Sequence, residues 1–518
     1  MTERLRLSEH NRRWWTLGAM SFALFMVMLD NTAVNVALPS IQEDFGASLS
    51  ALEWTVNAYT LTFAVLLVTG GRLGDIFGRR RMFLFGVVVF SLASATIGFA
   101  PSEGWLVASR AVQGIGAAFM MPGTLSIISN AFPPEERGKA IGTWAGVSAI
   151  ALAAGPLLGG WLTEEVSWRA IFFLNLPVAV GAVVVTLFAA EESRDETVGR
   201  AVDVPGIAGI TVGLTALVFA LVEGNSWGWG SPGILGLLAV SVVAFAAFVA
   251  IERRSAAPVV DFDTLRSKQF LGANVVAFMV SFGMLAMFFF LALYMQNILG
   301  YSPLEAGVRF LPSTVVVIFV GPVAGRLADR LGPRPLMVAG MLITAFSLLW
   351  QSRIEVDTSY GFLAPAFVLM GLGIGLVMSP MSMAAMNAVD RTKAGVASGT
   401  LSMFRMVGGT FGVAALGALV ASIGRHDLEQ SLPRVPEGAR ERLAEGLGSG
   451  AGLRDASPQV VDATRAAFVD ALGTGLTISA IAVAAGALLA WLLIAPGRPS
   501  GPAPVPVPAE AEAELAPA

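Results

Sequence analysis

The chain has 518 residues, of which 55% are hydrophobic and 14% are charged, and its formal net charge is −4. A soluble domain carries about 25% charged residues, so this composition excludes an ordinary soluble protein and indicates an integral membrane protein. The absence of cysteine excludes disulfides, thiol catalysis and cysteine-ligated metals, and the two histidines lie in polar segments, so no metal site is expected.

Fourteen apolar segments follow one another along the chain, each near the ~20 residues that a membrane-crossing helix needs. They are residues 14–38, 51–71, 81–100, 104–125, 138–162, 169–190, 204–223, 231–251, 270–296, 304–328, 335–352, 360–387, 395–423 and 467–494. The first is too long for the core of a cleavable signal peptide, which is about 7–15 residues. The sequence therefore predicts an all-α membrane protein with 14 transmembrane helices.

The basic residues predict the orientation of these spans. Most of the 33 lysines and arginines lie in loops on the same side as the N-terminus, which the positive-inside rule assigns to the cytoplasm. An even number of spans then places both termini in the cytoplasm. The polar segment 424–466 becomes an extracellular loop, either a small cap or a mobile segment. The Pro/Ala-rich tail 495–518 is expected to be disordered.

The first six spans recur as the last six, with spans 7 and 8 inserted between them. Three pairs of motifs match at nearly one offset: G-R-L-x-D-x-x-G at 71–78 and 325–332, GIGAAFMMP at 114–122 and GLGIGLVMSP at 371–380, and GKAIGT at 138–143 and GVASGT at 395–400. Paired six-span halves are typical of secondary transporters. The expected parts are a cytoplasmic tail 1–13, a six-helix bundle 14–190, an inserted two-helix segment 191–268, a second six-helix bundle 269–494 that includes loop 424–466, and the tail 495–518.

Several of these motifs resemble those of a known family. GRLGDIFGRRR (71–81) resembles the inner-loop motif of the major facilitator superfamily, and LVASRAVQGIGAA (106–118) resembles its fourth-span motif. AGPLLGG (154–160) resembles the fifth-span motif of its antiporters. LDNTAVNVALP (29–39) and WRAIFFLNLP (168–177) resemble motifs of its fourteen-span drug:proton antiporter branch. The resemblance implies the major facilitator fold, with two six-helix bundles plus an inserted helix pair.

Asp30 is a carboxylate inside the first apolar span, where a charge is costly without a partner. Counted at ~1.5 Å per residue from the outer span ends, taken near Pro39 and Gly104, Arg110 lies at a comparable depth in span 4. We expect the two to pair directly, through water or through Gln113. Burial favours a protonated carboxyl group and a nearby arginine favours the ionised one, so Asp30 can load and release a proton that Arg110 tunes. The alternative is a permanent structural ion pair.

The sequence repeat shows that the predicted Asp30–Arg110 pair occurs in the first half only. Arg110 corresponds to Phe367 in the second half, and span 9 contains no acidic residue, whereas Asp30 is taken as the only carboxylate well inside spans 1–6. The second half therefore folds without either charge. This asymmetry favours a functional role for Asp30 over a role in the fold.

The inner loop after span 2 is expected to control conformational change. Asp75 can pair with Arg79, while Gly74 and Gly78 allow close backbone approach and a tight turn. The candidate residues of this gating loop are Gly71, Asp75, Gly78, Arg79 and Asp329. The resemblance implies a gating loop that stabilises the outward-open state, and Asp329 marks a second, weaker copy. The alternative is a plain positively charged inner loop.

Span 5 carries a second motif with consequences for conformational change. Gly155 and Gly159 permit tight helix packing, and Pro156 removes a backbone donor and bends the helix. The resemblance implies that this antiporter motif supports exchange. The alternative is ordinary packing of small residues.

Polar residues within or at the ends of the spans are candidates for a substrate cavity. The chain is rich in methionine (20) and phenylalanine (32), whose side chains suit promiscuous binding of apolar ligands. The candidates are Asn31, Asn35, Asn57, Tyr59, Gln113, Asn274, Gln296, Asn297, Asn387 and Arg405. Arg405 either meets an anionic group in the cavity or binds backbone carbonyls.

The resemblance implies a proton-coupled antiporter that exports hydrophobic drugs, antibiotics or other toxic small molecules across the bacterial plasma membrane by alternating access. Protons are the coupling ion, and no other cofactor, enzymatic activity or nucleic-acid partner is expected of this monomer. The absence of a G-x-x-x-x-G-K-[ST] loop disfavours ATP-driven transport. Two alternatives on the same fold stay open: a proton-coupled importer, and a lipid-handling or receptor protein.

Overall fold

The computed structural model describes residues 9–194, 203–255, 258, 262–389, 394–445, 447 and 457–496. These residues form helices and connecting turns, with no β-strand among them. Thirteen helices in this described part are long and apolar enough to cross a membrane. The remaining predicted span, the fifth, falls on a further helix, Pro134–Glu165. The predicted disordered tail lies outside the described residues from residue 497 onward.

The helices have the following bounds in chain order. They are α1 Glu9–Phe45, α2 Leu49–Phe77, α3 Arg79–Gly98, α4 Glu103–Ala131, α5 Pro134–Glu165, α6 Arg169–Ala189, α7 Val204–Trp227, α8 Pro232–Glu252, α9 Phe262–Leu265, α10 Lys268–Leu293, α11 Pro303–Leu331, α12 Pro333–Gln351, α13 Tyr360–Met386, α14 Ala394–Ser431, α15 Glu437–Glu445 and α16 Pro458–Leu493. A π-helical turn, Tyr294–Ile298, extends α10. The predicted spans 9–14 are α10–α14 and α16.

Several helices extend beyond the predicted spans. Helix α1 continues through Pro39, the predicted end of the first span, to Phe45. A proline removes one backbone donor from a helix, and packing against neighbouring helices compensates for that loss. The depth of Asp30 was therefore counted from a point inside the helix. Segment 424–466 is likewise not a single loop, since it contains the end of α14, the whole of α15 and the start of α16.

The two sets of six helices pack in the same pattern, as the sequence repeat predicts. In the first set α1 packs on α5, α2 on α4, and α3 on α4 and α6. In the second set α10 packs on α14, α11 on α13, and α12 on α13 and α16. The two sets meet chiefly where α5 packs on α11 and α2 on α14. Helices α7 and α8 pack on each other, and α7 also contacts α2 and α14.

A glycine with positive φ separates the second and third helices of each set. Gly78 has φ 111° between α2 and α3, and Gly332 has φ 83° between α11 and α12. Side chains disfavour this backbone region, which explains why both copies of the G-R-L-x-D-x-x-G motif end in glycine. We call the side of these two turns inner, following the charge-based orientation, and the opposite side outer.

Candidate functional site

Asp30 and Arg110 are in direct contact inside the first bundle. Arg110 donates from NH1 to Asp30 Oδ2 at 2.5 Å, and the side chains of Arg110 and Asp30 are 2% and 0% exposed. Helix α1 supplies the carboxylate and α4 the guanidinium. The predicted pairing of the two side chains is thus present in the structure. Their role in proton coupling stays a prediction.

Three further polar side chains complete this buried cluster. Gln113 accepts from Arg110 at 2.6 Å and donates from Nε2 to Asp30 Oδ1 at 3.0 Å. Asn175 of α6 donates to the same oxygen at 3.5 Å. Gln113 and Asn175 also both donate to Ser94 Oγ of α3, at 2.8 and 3.2 Å. The Asp30 cluster, defined as Asp30, Ser94, Arg110, Gln113 and Asn175, therefore joins four helices.

Arg110 is held on its other side by a carbonyl group and an aromatic ring. Its Nε donates to Thr55 O of α2 at 3.0 Å. The guanidinium carbon lies 4.3 Å from the centroid of the Tyr59 ring, close enough for a cation–π contact. The arginine is thus oriented even without Asp30. Among the described residues, its charge has only this one carboxylate within hydrogen-bonding reach.

Asp30 is surrounded by hydrogen-bond donors. Arg110, Gln113 and Asn175 all donate to its carboxylate. Protonation would remove the charge that Arg110 compensates and would leave a buried cation without a counterion, which is costly.

The other candidates on α1 and α2 lie close to this cluster. Asn31 donates to Val27 O at 3.1 Å and reaches the Tyr59 hydroxyl at 3.5 Å. Asn35 donates to Asn31 O at 3.2 Å. Tyr59 and Gln113 are fully buried, so in this structure they belong to the packing around Arg110 and do not line an open cavity. Asn57 is also fully buried, and neither of its side-chain polar atoms has a hydrogen-bond partner among the described residues.

The candidates of the second half are dispersed. Asn274 is buried and donates to Phe270 O at 2.8 Å. Gln296, in the π-helical turn, donates to Val36 O of α1 at 2.8 Å and thus joins the two halves near the outer side. Asn297 lies in the same turn. Asn387 follows the last residue of α13 and is exposed at the inner side. The structure therefore does not bring these four residues into one site.

Arg405 lies within α14 and is half-buried. Its Nε has no hydrogen-bond partner among the described residues. At Nε, Arg405 therefore contacts neither an anionic group nor a backbone carbonyl, the two partners predicted for it.

The inner loop contains the predicted ion pair. Arg79 donates to Asp75 Oδ1 from Nε at 2.9 Å and from NH2 at 2.8 Å. Gly71 packs against the Pro122 ring of α4. Asp329, the counterpart of Asp75, is exposed and forms no ion pair within the described part of the chain. The ion pair of the first copy of the motif therefore has no counterpart at Asp329 among the described residues.

The span-5 motif forms the contact between α5 and the segment of α1 that carries Asp30. A Cβ on Gly155 would collide with Thr32 Oγ1, and a Cβ on Gly159 would lie 2.7 Å from Ala33 Cα. Pro156 lies inside α5, and its carbonyl oxygen packs against Gly307 of α11. One turn of α5 therefore contacts both α1 and the second bundle.

Sequence analysis missed three residues that matter here. Asn175 lies within the quoted WRAIFFLNLP motif, and Ser94 is a polar residue within span 3. Both could have been found as polar side chains in apolar helices, although their direction could not. Glu53 is the third, since it is only 2% exposed near the start of α2. Asp30 is thus not the only buried carboxylate of the first bundle.

Comparison with known proteins gives a consistent result. A family model described as Major Facilitator Superfamily matches residues 20–413. The chain is 40% identical over 440 residues to the tetracenomycin C resistance and export protein of Streptomyces glaucescens, covering 84% of this chain and 81% of that protein. It is 40% identical over 427 residues to the puromycin resistance protein pur8 of Streptomyces alboniger, covering 80% and 84%. A crystal structure of a bacterial homologue of the human lysosomal transporter Spinster, inward-facing and unoccupied, has a TM-score of 0.65 at 16% identity, covering 93% of this chain and 98% of that one.

Proposed function

The chain belongs to the major facilitator superfamily, and we propose that it is a fourteen-span drug:proton antiporter. It exports hydrophobic drugs, antibiotics or other toxic small molecules across the bacterial plasma membrane in exchange for protons. The names of the two Streptomyces relatives, which refer to resistance and export, support the class of substrate and the direction. The proton as coupling ion is supported by the Asp30 cluster.

The observation that carries this proposal is the buried Asp30–Arg110 pair in one half of a duplicated fold. A pair that served the fold alone would be expected in both halves, yet Arg110 corresponds to Phe367. Phe367 is fully buried and packs against Phe310, so the second half fills the same position with an apolar contact. Intramembrane charges confined to one half are typical of a proton pathway.

Proton binding at Asp30 is the step that alternating access would exploit. The proton neutralises the carboxylate, and Arg110 loses its counterion while it retains Thr55 O and the Tyr59 ring. The energy of the cluster then changes with the position of α1 relative to α4. Because α1 and α5 are in close contact at Gly155 and Gly159, a movement of α1 also moves α5, which packs on α11 of the second bundle. Exchange of drug for protons follows if the drug and the proton stabilise opposite states of the alternating-access equilibrium.

Vesicles that contain the purified protein test the direction and the coupling together. In inside-out vesicles acidified inside, a fluorescent lipophilic drug is expected to accumulate, and its accumulation should release lumenal protons. Collapse of the proton gradient by an ionophore should stop uptake. An importer would instead deplete the drug from such vesicles, and a receptor or lipid-handling protein would move no drug at all. Either result would refute the proposal.

Asp75→Asn is expected to change the conformational balance but not the stability of the fold. Its ion pair with Arg79 is partly exposed, and such pairs contribute only about 0–1 kcal/mol. We expect a similar unfolding temperature but slower drug export, measured in the vesicle assay. Asp329→Asn is the matched control, because Asp329 has no ion pair among the described residues, and it should leave export unchanged. Equal effects of the two substitutions would contradict a gating role for the first motif.

A further inference from the structure

Glu53 is a buried carboxyl group at the contact between the two halves. It lies in the first turns of α2, is 2% exposed, and its Oε2 has no hydrogen-bond partner among the described residues. A Cβ on Gly417 of α14 would collide with Glu53 Oε1, so the carboxyl group packs directly against the α14 backbone. A carboxylate that is buried in this way without a hydrogen-bond partner for Oε2 is costly when it is ionised.

The inserted helix α7 closes the same contact from the side. Trp54 Nε1 of α2 donates to Glu223 Oε1 of α7 at 3.2 Å. Asn225 Nδ2 of α7 donates to Ala418 O of α14 at 2.7 Å, and Arg425 of α14 donates to Asn225 O at 3.1 Å. Helix α7 is thus bonded to both halves within a turn of the place where α2 and α14 meet. We define the outer junction as Glu53, Gly417, Glu223, Asn225, Ala418 and Arg425.

The charges around Glu53 do not stabilise its ionised form. From α7, the carboxyl group of Glu223, which accepts from Trp54 beside Glu53, brings a second acid to this contact. From α14, Gly417 presents no side chain, and the guanidinium of Arg425 donates to the backbone of α7. Among the described residues no cation donates to the Glu53 carboxyl group, so hydration would stabilise its ionised form. An ionised Glu53 therefore favours a conformation in which the outer ends of α2 and α14 are apart and hydrated.

We propose that Glu53 is a second proton-binding site, which closes the outer junction when it is protonated and opens it when it is ionised. The proton comes from outer water and returns to outer water, whereas Asp30 binds the proton that is exchanged for drug. Helix α7 has to give up its contacts to one half when the junction opens, which assigns a role to the inserted helix pair. The inference rests on the proposed function only in that it assumes alternating access.

Spin-label distances across the outer junction test this assignment. The chain has no cysteine, so Ser50→Cys on α2 and Ser422→Cys on α14 can be labelled selectively. In nanodiscs without drug, the distance between the labels is expected to be short at acidic pH and to lengthen at alkaline pH. With Glu53→Gln, which cannot ionise but keeps the shape of the side chain, the short distance should persist at alkaline pH. Lengthening in Glu53→Gln equal to that of the parent, or no pH response in the parent, would overturn the proposal.

Glu223→Gln is the matched control for a carboxyl group of the same junction. It removes the like charge near Glu53, so the distance should still respond to pH, with its midpoint moved toward acidic pH. A purely structural role of Glu53 predicts no such movement, and an unmoved midpoint would also overturn the assignment. The readout needs no drug and no gradient. Failure of this inference is therefore distinguishable from failure of the proposed export, which the vesicle assay measures on the unlabelled protein.

Discussion

Asp30→Asn is expected to reduce proton-coupled drug export to the level of vesicles without protein. Asparagine has nearly the same shape but cannot bind and release a proton, so drug movement loses its link to the gradient. Arg110 loses its counterion at the same time. Export is measured as gradient-driven accumulation of a fluorescent drug, and coupling as the release of lumenal protons when drug is added. Unchanged proton release in Asp30→Asn would refute the assignment of Asp30 as the proton carrier.

This substitution also risks a loss of folding, because it leaves a buried cation without its partner. Removing one member of a buried pair costs about 3–5 kcal/mol. The double variant Asp30→Asn/Arg110→Gln removes both charges and is therefore expected to unfold near the temperature of the parent. It should still fail to couple drug to protons. If Asp30 and Arg110 were a permanent structural pair, the double variant would instead retain coupled export, so it separates the two alternatives that the sequence leaves open.

Much of this cluster is predictable because burial of charge in a membrane is so costly. Asp30 and Arg110 interrupt apolar spans of the first half, and each needs a partner that the same half has to supply. Gln113 lies one turn from Arg110 on α4, where i and i+3 side chains share a face. The spans themselves follow from the hydropathy of about 20-residue segments. The pairing could therefore be predicted from one sequence, although the depth argument used a wrong helix end.

The remaining features depend on which helix faces which, and a single sequence does not contain that information. Ser94 and Asn175 join the cluster because α3 and α6 pack beside α1 and α4. Glu53 lies two residues inside the predicted start of span 2, so it resembled a residue at the water boundary. It is buried because α14 reaches the same level. Pro39 predicts a helix end because a proline is costly in an isolated helix, whereas packing in the bundle compensates for this cost.

The span-5 motif is where packing and transport are hardest to separate, since its glycines set the distance between α1 and α5. Gly155→Ala places a methyl group against Thr32, which is two residues from Asp30 on α1. Overpacking of this kind costs about 1–3 kcal/mol, which neighbouring helices can absorb by moving apart. We expect a protein that folds and inserts but exports drug slowly, as measured in the vesicle assay beside the unfolding temperature.

Three further variants decide whether close approach of α1 and α5 is the cause. Gly181→Ala on α6 is the matched control, because a Cβ there meets nothing within 4 Å, and it should leave export unchanged. In Thr32→Gly/Gly155→Ala, the new methyl group on α5 occupies the space that the Thr32 side chain leaves on α1. Because the two positions are in contact, their effects should be non-additive, and the double variant should recover export lost in Gly155→Ala. Thr32→Gly alone gives the reference, since glycine within a helix costs about 1 kcal/mol. Additive losses would show that the motif acts through α5 itself and not through its distance from the helix that carries Asp30.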